Sequence, residues 1–296
     1  FKGGKDMLSL YFKNNENSSL FQGKALRLGG SKEIYKNNNS YFGDLSAIMI
    51  ENLPVWAEIV SSPSQKVSLM SEWETKMEAI VAETIKEDIR SMAGVPSWML
   101  VLLQKILSET GYKSILDVWP NMEVYFHGGV NFMPYIDQYK AIMPSDSIKY
   151  VEIYNASEGF FGIQDQPSSN ELLLMLDYGI FYEFIEMKTY GTKNENIIPL
   201  SDVKIGPQYA VIITTNAGLW RYNIGDTIRF TSTYPYRFKI TGRTKHFINV
   251  FGEELVIENA DKALKHVCLK YNVQLVDYTA APCLLYTSPS PRDPIG

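Results

Sequence analysis

With 296 residues, 45% of them hydrophobic, and 19 Tyr and 14 Phe, the chain has material for one large or two smaller packed domains, and disorder does not dominate it. A net charge of −5 offers no polybasic footprint, which argues against a nucleic-acid partner. No apolar run approaches the ~20 residues that a membrane span needs. The two cysteines, Cys268 and Cys283, form no Cys-x-x-Cys pair, imply neither a disulfide framework nor a zinc site, and fit a reducing cytosol.

The chain starts at Phe1 rather than Met and is expected to be a fragment. The polar stretches 14–19 and 36–40 read as turns or loops, and Leu28-Gly29-Gly30-Ser31 as a turn. Trp73, Met77, Ile80, Val81, Ile85 and Ile89 follow helical spacing and predict one long amphipathic helix over 72–92. A second helix is expected over 97–108, where Trp98, Met99, Leu102 and Leu103 line an acyl pocket or belong to ordinary helix core. Residues 122–126 alternate as a strand and run into His127-Gly128-Gly129; a helix over 134–143 and a strand over 150–154 follow.

Residues 172–187 predict two strands joined as a hairpin around Asp177-Tyr178-Gly179. Further strands are expected over 210–214, 226–231 and 237–241. Helical spacing returns with Ala260, Leu264 and Val267, before a strand near 273–276. This alternation of strands and helices predicts an α/β fold. From Cys283 the text carries Pro289, Pro291 and Pro294 without periodicity; 283–296 is expected to be a non-native tail resembling translated adapter sequence.

Three runs carry the chemistry. In YNASEG (154–159), Glu158 follows a strand and precedes Gly159, where a loop aims a carboxylate into the crevice at a sheet's carboxyl edge; alone, such an acid is more often a solvated loop residue, and it is the surrounding motif that favours the site. In GLWRYNIGDTIRF (218–230), a carboxylate at Asp226 can accept charge-assisted hydrogen bonds from two adjacent ribose hydroxyls, and Gly225 allows close approach, although Gly-Asp is also a common turn pair. In GRTKHFINVFGEEL (242–255), which begins 16 residues after Asp226, Arg243 and Lys245 open a new segment. His127-Gly128-Gly129 is the kind of post-strand turn that admits a ligand near the backbone, though a lone His is often structural.

The ordered set resembles the acyl acid–amido synthetases, the auxin-responsive Gretchen Hagen family. These are distant relatives of acyl-CoA synthetases, nonribosomal peptide synthetase adenylation domains and luciferases. The likeness runs over 1–282. It implies an adenylate-forming α/β large domain of mixed sheets and helices over 1–241, and a hinge with the start of a small C-terminal domain over 242–282. It further implies a cytoplasmic ligase that makes an acyl-adenylate from ATP and a small carboxylic acid, then an amide with an amino acid. On this resemblance Glu158 meets the Mg2+ of ATP, Ala156, Ser157 and Tyr222 line the nucleotide, and Asp226 holds the ribose. Arg243 contacts ribose or phosphate and acts with Glu158 in catalysis, while Gly128 and Gly129 form the adenine or acyl wall. The chain departs from the pattern at Asn223, where plant members carry Arg, and at His246, where acyl-CoA synthetases carry Asp. Neither the upstream phosphate loop nor the lysine of the small domain is found, so the chain alone is expected to be inactive. An acyl-CoA ligase and a nucleotide-binding or structural remnant without turnover are the alternatives.

Overall fold

A computed structural model describes residues 2–30, 35–38, 40–167, 169–244, 248–250, 253–255, 257–271, 273 and 275. Its central element is a 12-stranded sheet whose two halves differ in sense. On one side Ser61–Ser62, Lys24–Arg27, Ile89–Gly94, Val124–His127 and Lys149–Ala156 are parallel neighbours in that order. From Lys149–Ala156 onward the sheet is antiparallel, through Gly159–Ile163, Leu172–Leu174, Tyr236–Arg243, Tyr222–Thr233, Gln208–Thr215, Ile180–Glu186 and Ile197–Pro199. Lys149–Ala156 is therefore the seam.

The parallel half is covered on both faces, as its apolar strands require. Leu26, Met92 and Tyr125 pack beneath the helices Trp73–Thr84 and Pro96–Thr110, while Val124 and Phe126 meet Tyr11 of the helix Lys2–Asn14. Pro96 opens its helix without a wasted N–H, and Gly111 at φ 73° ends it. Met99, Leu102 and Leu103 are fully buried in this core, whereas Trp98 is exposed and meets Trp73 edge-on at 5.7 Å. The core alternative thus holds for all but Trp98. The antiparallel half wraps an aromatic core in which Phe184, Tyr209, Phe230 and Phe238 are buried, the first three meeting edge to face.

Two expectations need correction. The helix expected over 72–92 ends at Thr84, and Ile89–Gly94 is a strand. Glu72 caps the helix by accepting from the Glu74 and Thr75 amides, and after the polar run 86–88 the carbonyl of Asp88 accepts from the Lys24 amide at 2.8 Å, drawing the chain into the sheet. Ile85, Ile89 and Met92 satisfy the helical period by coincidence. Nor do Leu172–Leu174 and Ile180–Glu186 pair as a hairpin: each pairs with other strands. The connection is fastened instead to the first helix, through a Lys2–Asp177 ion pair and a 2.7 Å hydrogen bond from the Tyr178 hydroxyl to Asp6.

The helix expected after Leu255 is present as Ile257–Tyr271, and Val273 and Leu275 belong to no regular element. Lys245 and His246, the rest of the strand expected near 273–276, and the tail 283–296 lie outside the described residues. No helix of the described residues is long and apolar enough to cross a membrane.

Candidate active site

Ala156 pairs with Gly159, so Ser157 and Glu158 form a two-residue turn at the carboxyl end of the last parallel strand. A side chain at Gly159 would lie 2.8 Å from Ile180 Cδ1, which explains the glycine there. Glu158 is half-buried. This is the edge at which open α/β sheets bind ligands. The neighbouring strand ends in His127, so Gly128 and Gly129 reach the same edge. A Cβ at Gly128 would lie 2.3 Å from the Ile153 carbonyl oxygen, and Gly129 takes φ 85°; both glycines thus have a backbone reason to be there.

His127 is 4% exposed, with its ring stacked on Phe132 at 4.0 Å and Nδ1 without a hydrogen-bond partner among the described residues. Burial pushes its pKa down to about 3. Glu152 stands opposite it in register, and burial raises that carboxyl to about 7.

Asp226 lies on Tyr222–Thr233, directly opposite Arg243 at the end of Tyr236–Arg243. Gly225 adopts φ 82°, its carbonyl accepts from the Thr244 amide at 2.7 Å, and its own amide donates to Asn223 Oδ1 at 2.9 Å. The pairing of this strand shifts register close by, the kind of irregularity that re-aims a side chain. Arg243 Nε reaches Asp226 Oδ1 at 2.9 Å, and the Tyr154 hydroxyl donates to Asp226 Oδ2. Burial, reinforced by the Asp226 charge, raises the Tyr154 phenol well above its ordinary value.

The structure therefore brings together three strands. Tyr154 lies four residues before Glu158 and joins the turn at the seam to the Asp226–Arg243 pair. Its part was not read from the sequence, although it begins the YNASEG run. Tyr222 opens the strand that carries Asp226, four residues before it, and is exposed. Arg221, two residues before Asn223, is committed to Glu183 through bonds of 3.1 and 2.9 Å. Asn223 itself donates to the Tyr190 hydroxyl at 2.7 Å.

Among the described residues no group of three or more His, Cys, Asp or Glu is placed to hold a metal ion. A magnesium ion carried by nucleotide phosphates needs only one or two carboxylates, because phosphate and water supply its other ligands. The single Glu158 fits that arrangement and does not fit an all-protein cage.

Residues 1–148 match the GH3 family N-terminal domain and residues 173–243 the GH3 family central domain. The indole-3-acetic acid-amido synthetase GH3.15 of Arabidopsis thaliana is 26% identical over 247 residues, covering 76% of this chain and 39% of that protein. The chain spans less than two fifths of the length of the curated relatives it matches. In structure it resembles the GH3.15 acyl acid amido synthetase, with a TM-score of 0.70 at 17% identity over 88% of this chain and 56% of that one. An open conformation of 2-hydroxyisobutyryl-CoA ligase in complex with 2-HIB-AMP and CoA gives a TM-score of 0.52 at 13% identity, over 82% of this chain and 50% of that one. The fold is that of adenylate-forming enzymes, and with both domain models matched in order along its length the chain belongs to the GH3 family.

Proposed function

We propose that this chain supplies the nucleotide-binding part of an ATP-dependent acyl acid–amido synthetase. The convergence of Tyr154, Asp226 and Arg243 beside the turn bearing Glu158 carries the reading. In it, Asp226 accepts the ribose hydroxyls, and the Arg243 fork, whose side chain is half exposed, turns toward ribose or phosphate oxygens. Ala156, Ser157 and Tyr222 line the nucleotide, and Gly128 and Gly129 wall the adenine or the acid. Glu158 holds the magnesium ion of ATP, which when bound neutralises phosphate charge and lets a second anion approach.

The acid's carboxylate oxygen then attacks the α-phosphorus and pyrophosphate leaves. The amine of an amino acid next attacks the acyl carbon, and AMP leaves. Both steps build charge on oxygen that fixed donors stabilise. We place the division between the large domain and the start of a small one at Gly242, and the enzyme in the cytosol.

Family membership and the likeness to an acyl acid amido synthetase support this reading. The likeness to a CoA ligase favours thioester formation as the second reading, since the first half-reaction is the same. The test is acid-dependent exchange of labelled pyrophosphate into ATP, run on this chain and on any longer reading frame containing it. Product analysis with an amino acid or with CoA as acceptor follows. Exchange with amide product supports the proposal; thioester product supports the second reading; no exchange from the longer frame with any acid removes both.

A further inference from the structure

The opposite end of the sheet holds a cavity of about 570 Å³ that wraps the short edge strand Ser61–Ser62. Arg27, the last residue of its strand, stands three strands from the seam, ~14 Å at the usual spacing. The cavity is therefore separate from the Asp226 cluster.

Most polar groups on its wall are satisfied from within. Lys24 pairs with Glu87 at 3.3 Å, and the Ser62 hydroxyl donates to the same carboxylate. The Ser64 amide and hydroxyl both donate to Glu83, at 2.8 and 2.9 Å. The Ser61 and Ser68 hydroxyls donate to the carbonyls of Ala57 and Pro63, and Gln65 Nε2 to that of Ile50.

Arg27 is the exception. It is half-buried, and this partial loss of water lowers its pKa, yet among the described residues no carboxylate or carbonyl meets its guanidinium. Lys86 is a second cation on this wall without an ion pair among the described residues, against two acids likewise without one, Glu58 and Glu83, the latter accepting only from Ser64. Withdrawing a guanidinium from water without a partner is costly, and the group's planar fork matches a carboxylate in two parallel hydrogen bonds. The remaining wall is apolar, formed by Ile50, Leu53, Ile59 and Pro63. The volume suits a small organic molecule.

We propose that this cavity is a second acid-binding site, in which Arg27 takes the carboxylate of a small organic acid and Ile50, Leu53 and Ile59 take its hydrocarbon body. It is independent of the nucleotide site. The carboxylate supplies the hydrogen-bond acceptors that Arg27 lacks, Lys86 adds attraction, and Glu58 and Glu83 oppose it.

Isothermal titration of the chain with benzoate, acetate and inorganic phosphate tests this. Benzoate should bind saturably, at least fivefold more tightly than acetate, which lacks the apolar body, or than phosphate. Arg27→Met should weaken benzoate at least tenfold, leave AMP affinity within twofold, and not lower the melting temperature, since an unpaired charge is replaced by an apolar side chain. Glu58→Gln should tighten benzoate. Absent or non-saturable benzoate binding, or binding unchanged in Arg27→Met, would overturn the site. Phosphate binding as tight as benzoate would overturn its apolar half. A melting temperature that falls in Arg27→Met would make Arg27 a structural residue and overturn its role as the anchor.

Discussion

The Tyr154 hydroxyl donates to Oδ2 of Asp226 while Arg243 holds Oδ1 at 2.9 Å, so both oxygens of the carboxylate are oriented before any ligand arrives. The two donors differ in what they can release. Tyr154 is buried and its phenol keeps its proton, whereas Arg243 is half exposed and can swing toward a ligand. Tyr154 is thus a positioning residue for the proposed ribose acid. Tyr154→Phe should weaken AMP binding about three- to tenfold, the scale of one net hydrogen bond. Asp226→Ala should weaken it by about 1.5–3 kcal/mol, the scale for hydrogen bonds to a charged group. Titration calorimetry with AMP reads both, and equal affinity in all three proteins would remove this cluster from nucleotide binding.

Glu158 should separate magnesium from adenosine. It sits on the turn after Ala156 rather than in the Asp226 cluster, and among the described residues it belongs to no group of three or more His, Cys, Asp or Glu placed to hold a metal ion. Glu158→Gln should therefore leave AMP affinity nearly unchanged while lowering the affinity gained when magnesium is added to ATP. Titrations with ATP, with and without magnesium, measure that gain. A gain of the same size in parent and variant would exclude Glu158 as the ligand.

The antiparallel half has an ionic fastening that should matter for stability. Arg237 Nε and Nη2 meet the Asp165 carboxylate at 3.0 and 2.6 Å, with both side chains mostly buried. The pair ties the end of Gly159–Ile163 to the strand that delivers Arg243. Asp165→Ala leaves a mostly buried guanidinium unpaired and should cost about 3 kcal/mol. Adding Arg237→Met should recover part of the loss. Urea denaturation measures both, and a loss below 1 kcal/mol for the single variant would show that water satisfies Arg237.

The parts of this molecule that were legible in the sequence are those with local causes. Glu158 before Gly159 and Gly225 before Asp226 are turn and bulge chemistry written in adjacent residues, and both lie where the runs placed them. The overrun of the helix past Thr84 shows the limit, because Ile85, Ile89 and Met92 fit a period of 3.6 although the last two lie in a strand. The hairpin expected at Leu172–Leu174 fails because one of its partners, Tyr236–Arg243, lies more than 60 residues away, and the two strands share a core, Leu172 and Phe238 included, that no local spacing announces. Tyr154 reaches Asp226 across strands that are not neighbours in the sheet, so no spacing announced the contact. Arg27 ends the strand Lys24–Arg27, where nothing local marks it as lacking a partner among the described residues.

His127 and Glu152 yield a test in which two titrations oppose each other. The two stand opposite each other on adjacent parallel strands, His127 buried against the rings of Tyr125 and Phe132 and Glu152 half-buried. Burial lowers His127 from 6.5 to about 3, so the unfolded chain binds its proton first and stability falls as pH drops from 6.5. Burial raises Glu152 from 4.5 to about 7, so the folded chain keeps its proton longer and stability falls as pH rises from 4.5 toward 7. Between pH 4.5 and 6.5 the two slopes have opposite signs and largely cancel. Glu152→Gln removes one of them. Relative to the parent, this variant should gain stability steadily as pH rises from 4.5 to 7, by an amount on the order of 3 kcal/mol. His127→Phe should instead gain on the parent as pH falls below 6.5. Urea midpoints at pH 4.5, 5.5, 6.5 and 7.5 measure both differences, ~1.4 kcal/mol corresponding to each tenfold change in the folding equilibrium. If the two groups formed an imidazolium–carboxylate pair, both trends would reverse; pH-independent differences would place both groups in contact with water.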